Sequence, residues 1–230
     1  NLGWKRIQLK RILKERFQLS IVIENEANAG AYGEKMFGAG ITSDHMIYAS
    51  IGIGIGVGTI LEGKLYKGSN GFSGEFGHMT IEKGGISCRC GNNGCWERYA
   101  SENALLKKAS ALGIIKDNDV TPLKTLISLA DNGNNQAIEL FEEIGNYIGI
   151  GLTNSINIFN PDTVIIGNHM AEAEKWIRPS LENYITQHTI GFHQEALKIE
   201  FSKLTSHSTA YGMTAFTIEA FLHRESNTIK

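Results

Sequence analysis

Leu9, Leu13 and Phe17, with Ile12 beside them, recur at helical spacing while Lys5, Arg6, Lys10, Arg11, Lys14 and Arg16 fill the other positions. This pattern predicts an amphipathic helix from about Trp4 to Phe17. Ile21-Val22-Ile23 reads as a short apolar strand. Positions 24–34, E-N-E-A-N-A-G-A-Y-G-E, then place polar groups at its carboxyl end and open a helix of small residues. From Met46 to Leu61 the chain alternates, with Gly52, Gly54, Gly56 and Gly58 opposite Ile51, Ile53, Ile55 and Val57. As one extended strand this run has a bare glycine face; a hairpin bend at one of the glycines fits equally well. Glu62-Gly63-Lys64 marks a tight turn between Leu61 and Leu65, into a second strand.

The second half reads as helices at Asn103–Leu112, Pro122–Asp131 and Asn135–Phe159, the last stopped by Asn160-Pro161. A buried strand at Asp162–Gly167, a helix at Glu172–Gln187, a strand at Lys198–Ser202 and a closing helix near Ala210–His223 follow. Alternating strands and helices define an α/β fold, with no internal repeat or linker. At 230 residues and 42% hydrophobic content the chain can bury a large core, as one big domain or two lobes.

Net charge is −2, so the chain carries no excess of positive charge for DNA phosphates or an acidic membrane surface. The basic side of the first helix reads as a solvated face, because no aromatic side chains interleave with its charges. No apolar run approaches the roughly 18–20 residues that span a bilayer, and no signal-peptide pattern opens the sequence. Together with reduced thiols this makes the cytoplasm the expected compartment. Asn1 is not an initiator methionine, and the first residues read as the middle of a β-α-β rhythm whose beginning lies upstream.

The chemistry concentrates at 75–97. Cys88, Cys90 and Cys95 are the chain's three cysteines, packed into C-R-C-G-N-N-G-C ten residues after His78. An odd count with C-x-C spacing is poor disulfide material. Three sulfurs on a turn plus one imidazole suit a closed tetrahedral Cys₃His zinc site of structural type. Glu75 and His78, in the loop G-S-N-G-F-S-G-E-F-G-H, and Glu97, just past the last cysteine, can converge on a polyol from this braced loop. Glu24, Asn25, Glu26 and Asn28 are ligand candidates at a strand's carboxyl end, while helix capping by Asn25 explains the same pattern. The glycine face at Gly52, Gly54 and Gly56 lets a phosphate, a sugar or a helix approach; it spells neither a Walker A loop nor G-x-G-x-x-G.

In order along the chain, E-N-E-A-N-A-G-A-Y-G-E, the glycine-alternating run, G-E-F-G-H, C-R-C-G-N-N-G-C-W-E and V-I-I-G resemble the ROK family of repressors, open reading frames and sugar kinases, essentially from end to end. The resemblance implies the two-lobed sugar-kinase, hexokinase and actin fold, here with an incomplete N-terminal lobe. That lobe's remnant would cover about 1–60, with the zinc loop at 75–97 and the C-terminal α/β lobe at about 100–230. It implies His78, Cys88, Cys90 and Cys95 as zinc ligands and Asn25, Glu75, His78 and Glu97 as sugar contacts, His78 serving both. Where the family's kinases have Asn-Asp, with Asp as general base, this chain has Asn25-Glu26. An added methylene displaces the carboxylate, and phosphoryl transfer depends above all on positioning. Gly167-Asn168-His169 likewise departs from the glycines expected near a nucleotide. These departures, and the similarity of the 24–34 string to the xylose-repressor branch, imply a sugar-responsive repressor that dimerises and reads operator DNA through a module upstream of Asn1. The alternative is an ATP- and Mg²⁺-dependent sugar kinase with Glu26 as base.

Overall fold

The structure, a computed structural model, describes residues 7–228. Strands β1 (Met46–Ile51), β2 (Ile55–Leu61), β3 (Lys64–Leu65), β4 (Thr163–Gly167) and β5 (Lys198–Phe201) form one five-stranded sheet in the order β3-β2-β1-β4-β5. β1 pairs antiparallel with β2 and parallel with β4, and β4 pairs parallel with β5. Period-two geometry divides β1 between two cores. Ile47, Ala49 and Ile51 join Val164 and Ile166 in a large cluster with α6 (Asn135–Phe159) and α7 (Glu174–His188). Met46 and Tyr48 face the other way, joining Ile165 and Ala31 of α2 (Glu26–Phe37). The result is the expected α/β architecture, with helices on both faces of a sheet.

On the α2 side, α8 (Ser208–Thr228) crosses α2 at two glycines. A Cβ on Gly212 would sit 1.7 Å from the Ala29 carbonyl oxygen, and one on Gly33 would sit 2.0 Å from the Ser208 carbonyl oxygen. Backbone meets backbone there, so no rotamer change relieves the clash. Gly212→Ala is therefore expected to cost about 3 kcal/mol, the upper range for an overpacked core, read as a lower urea midpoint at unchanged slope. Next to this crossing Glu34 is fully buried. Its carboxylate accepts from Ser208 Oγ at 2.7 Å and Ala39 N at 3.1 Å, and also from Ser202 Oγ. A buried carboxylate needs such partners, and these tie α2 to the end of β5 and the start of α8.

Several expectations change. The first helix, α1, runs Leu9–Phe17; Trp4 to Arg6 of the expected span lie outside the described residues. None of its residues is buried. Ile21–Ile23 forms no strand, because no strand lies beside it to complete a ladder among the described residues. The glycine run is not one strand but a hairpin folded at Gly52-Ile53-Gly54, where Gly52 N donates to Gly54 O at 3.0 Å. That fold places residues 46–65 in the same sheet as β4 and β5. α5 (Pro122–Asp131) and α6 stand where the pattern put them, α4 (Glu102–Ala111) one residue earlier. His169–Ala173 tightens into a 3₁₀ turn, which delays α7, and α8 begins two residues sooner, at Ser208.

Candidate functional site

The carboxyl ends of β1 and β4 and the N-termini of α2 and α8 surround an open cleft of about 890 Å³. In α/β sheets this is the edge where ligands bind. Asn25 and Glu26 come from the start of α2, Ser50 from the last residues of β1, Gly52, Ile53 and Gly54 from the hairpin tip, and Asn168 and His169 follow β4. Ser206, just before α8, and Thr209, in its first turn, complete the lining.

Asn25 is the N-cap of α2, its Oδ1 accepting from Ala27 N at 2.8 Å and Asn28 N at 3.3 Å. The capping role and a place on the cleft wall coexist, because the cap uses Oδ1 and leaves the amide nitrogen free of that task. Glu24 turns away, bonded to Lys67, Asn25 N and Asn28 Nδ2. Burial pushes its carboxyl up, but Lys67 and the N–H donors outweigh it and hold the group below its ordinary value. Glu26, the first residue of α2, accepts from Asn168 Nδ2 at 3.2 Å, and the same amide donates to Ser50 Oγ at 3.1 Å. Asn168 does this from φ 65° and ψ −157°, a conformation that is costly for any residue but glycine.

The opposite wall is the loop after β3. His78 and Glu75 lie on a 3₁₀ turn, and the three cysteines follow on a compact loop pinned by bridges Thr80–Cys95 and Ser87–Asn93. Gly94 has φ 75°, and a Cβ there would stand 1.7 Å from Glu82 O, so glycine alone closes this turn. Cys88 Sγ is 3.7 Å from His78 Nδ1, and Cys90 Sγ is 3.6 Å from Cys95 Sγ. All four ligand atoms lie within 4.8 Å of one another. Ligands about 2.3 Å from a tetrahedral ion stand about 3.7 Å apart, whereas a disulfide closes to about 2.05 Å. The spacing fits a shared cation. Without one, burial pushes the Cys95 thiol up to about 12, while the Asn92 N–H lowers Cys90. A dication turns such thiols into thiolates.

The cysteine loop sets the cleft's acids. Trp96, directly after Cys95, is fully buried and donates Nε1–H to Tyr147 O at 2.7 Å, anchoring the loop's exit to α6. Glu97 then opens the short helix α3 (Glu97–Ala100) facing the cleft, its Oε2 accepting from Ile55 N at 3.3 Å. A Cβ on Gly54 would stand 2.5 Å from that Oε2. His78 Nε2 lies 3.8 Å from Glu75 Oε2, so the ring spans from the cysteines to a cleft carboxylate, while His78 itself is not among the residues bounding the cleft.

Of the sequence candidates, Asn25, Glu26, Glu75, Glu97, Gly52, Gly54 and Gly56 share the cleft wall. Gly56 has a second reason to be glycine: its Cβ would press on Ala27 Cβ at 2.9 Å, so the glycine face is largely where α2 lies on the sheet. Sequence reasoning put His169 near a nucleotide but did not place Ser50, Arg89, Ser206 or Thr209 at the cleft, nor Glu102 beside His169. Glu102 Oε2 lies 2.8 Å from His169 Nδ1. The polar run S-H-S-T at 206–209, across the start of the closing helix, was the available signal for α8; nothing local marked Glu102.

This is the class of α/β fold with helices on both faces of the sheet, in which a loop carrying a His-Cys₃ cluster able to hold a metal forms one wall of a cleft at the strands' carboxyl ends. Residues 1–220 match the ROK family, and the chain belongs to it. A xylose repressor of Bacillus spizizenii is 42% identical over 222 residues, 96% of this chain and 56% of that protein. A glucokinase of Halalkalibacterium halodurans is 34% identical over 184 residues, 75% of this chain and 56% of that protein. Among solved structures, a ROK family glucokinase from Streptomyces griseus in complex with glucose and AMPPNP superposes with a TM-score of 0.83 at 31% identity, covering 92% of this chain and 72% of that one. The chain thus spans about half the length of the curated relatives it matches.

Proposed function

We propose that this chain is the effector-binding body of a sugar-responsive transcriptional repressor of the xylose-repressor type. The observation that carries the reading is the asymmetry of the cleft. On the cysteine-loop wall Glu75 and Glu97 offer acceptors for sugar hydroxyls, with His78 oriented behind Glu75, while Asn25 across the cleft keeps its amide nitrogen as a donor. On the other, the position of a kinase base holds Glu26, hydrogen-bonded to the strained Asn168. Bound Zn²⁺ on His78, Cys88, Cys90 and Cys95 would brace the sugar wall and hold the imidazole orientation. The higher identity and fuller coverage of the xylose repressor than of the glucokinase support the same reading.

In this reading a pentose or hexose favours one arrangement of the full protein and changes how a dimer presents its DNA readers, which lie in an upstream module. A ligand shifts such an equilibrium only by its differential affinity for the two states. No helix among the described residues is long and apolar enough to cross a membrane, and a cytoplasmic setting suits the thiolate ligands. Titrating the intact protein on its operator with and without xylose or glucose tests the proposal. An affinity for DNA that falls at saturating sugar is the expected result; one that stays constant with every sugar refutes it.

A second reading, an ATP- and Mg²⁺-dependent sugar kinase, draws on the structural similarity to the Streptomyces griseus glucokinase. Glu26 would then be the base, with Gly52, Gly54 and Gly56 nearest the phosphates. It predicts ADP release from ATP, Mg²⁺ and a sugar, abolished by Glu26→Gln. We expect no turnover, because the longer side chain misplaces the carboxylate.

A further inference from the structure

Beside α3, sharing Glu97 with the first cleft, lies a second cavity of about 400 Å³. A small-molecule site occupies roughly 300–1,000 Å³. Its wall is cationic: Arg98, Lys107 and Lys108 against Glu97 and Glu143. Lys108 is already paired with Glu143, and Glu97 points its Oε2 at Ile55 N in the other cleft. Arg98 and Lys107 are thus the two charges those carboxylates leave uncompensated. Arg98 Nε is buried with no hydrogen-bond partner, an arrangement that costs free energy until an acceptor arrives. The N-terminal turn of α4 borders the same space through Ser101, Asn103 and Ala104 and adds the positive end of its dipole. Tyr99 and Tyr147, ring centroids 5.2 Å apart, supply an aromatic flank.

We propose that this cavity is an anion site for a small organic phosphate, the phosphate held by Arg98 and Lys107 and the organic portion lying along the tyrosines. A phosphate presents several acceptor oxygens to a guanidinium fork, and the cavity exceeds what inorganic phosphate alone fills. Arg98 follows Glu97 on the same four-residue helix, so an anion that draws Arg98 acts on the element that carries Glu97 into the sugar cleft. Occupancy of the two sites is then linked, and by the same factor in each direction.

The test is calorimetric titration of the intact protein, without sugar, using phenyl phosphate and inorganic phosphate as probes. Phenyl phosphate is expected to bind saturably at one site per chain, and Lys107→Gln and Arg98→Gln are each expected to weaken it about tenfold or more, the loss of one hydrogen bond to a charged group. Lys107 is exposed, so its substitution leaves the fold intact even if that of Arg98 does not. Weaker binding of inorganic phosphate supports an organic ligand; equal binding that still depends on Lys107 overturns the organic part and assigns free phosphate. Absence of saturable binding, or binding indifferent to Lys107→Gln, overturns the site. Because no sugar is present, the result stands apart from the effector reading above.

Discussion

Cys90→Ser is expected to release the metal and to lower the thermal midpoint by about 10 °C or more. Cys90 is the exposed cysteine of the set, whereas Cys88 and Cys95 are buried. Exchanging its sulfur for oxygen removes almost no packing, so a large loss of stability can come only from the ligand it provides. Structural zinc contributes on the order of 10 kcal/mol to small domains that fold around it, and a chain of this size loses about 2–4 °C per kcal/mol. Only part of that binding energy needs to support the loop for the shift to be unmistakable. Metal analysis should give about one zinc per chain in the parent protein and far less in the variant. A variant that keeps both its metal and its melting temperature would show that the four side chains cluster for another reason. The same loop carries Glu75 and Glu97, so a chelator should abolish sugar binding together with the metal.

Glu97→Gln and Gly54→Ala are together expected to weaken sugar binding by about tenfold to a hundredfold, the span of one hydrogen bond to a charged acceptor. The two substitutions reach the same carboxylate by separate routes. The first removes its charge. The second leaves it in place but puts a methyl group 2.5 Å from its Oε2, which forces the side chain aside. Gly54 does not have the positive φ that excludes a side chain, and no other atom stands within 3.4 Å of the added carbon, so the clash with Glu97 is the main cost of Gly54→Ala. Calorimetry with xylose and glucose on the intact protein reads both. If Gly54→Ala binds sugar as the parent does while Glu97→Gln does not, the carboxylate reaches the ligand from a different position than the one described; if neither changes affinity, Glu97 is not a sugar contact.

Much of the fold was legible in the sequence because its signals are local. The helices at 122–131 and 135–159 are set by apolar spacing and bounded by Pro122, Asn134 and Asn160-Pro161, all within a few residues of the ends they fix. The cluster of His78 with the three cysteines was legible for the same reason: three sulfurs on one turn carry their chemistry in their spacing. The glycine run was not resolved, because alternation fits a strand and a hairpin alike. The choice fell to a neighbour over a hundred residues away, β4, which pairs with β1 on the side opposite β2. Ile21–Ile23 failed in the complementary way, since β-branched residues favour a strand but only a partner strand makes one.

The candidate site divides along the same line. By itself the sequence determined the family, the helical segments, the His-Cys₃ cluster and the polar strings that line the cleft, each written within some ten or twenty residues. The tertiary structure alone decided that Asn168 would close onto Glu26, 142 positions earlier in the chain. It alone brought Glu102 to His169, and set Gly54 as the space that Glu97 needs. Those relations are contacts between segments far apart in the chain, and a pair of residues carries no sign of its partner until packing of the sheet and its helices places them side by side.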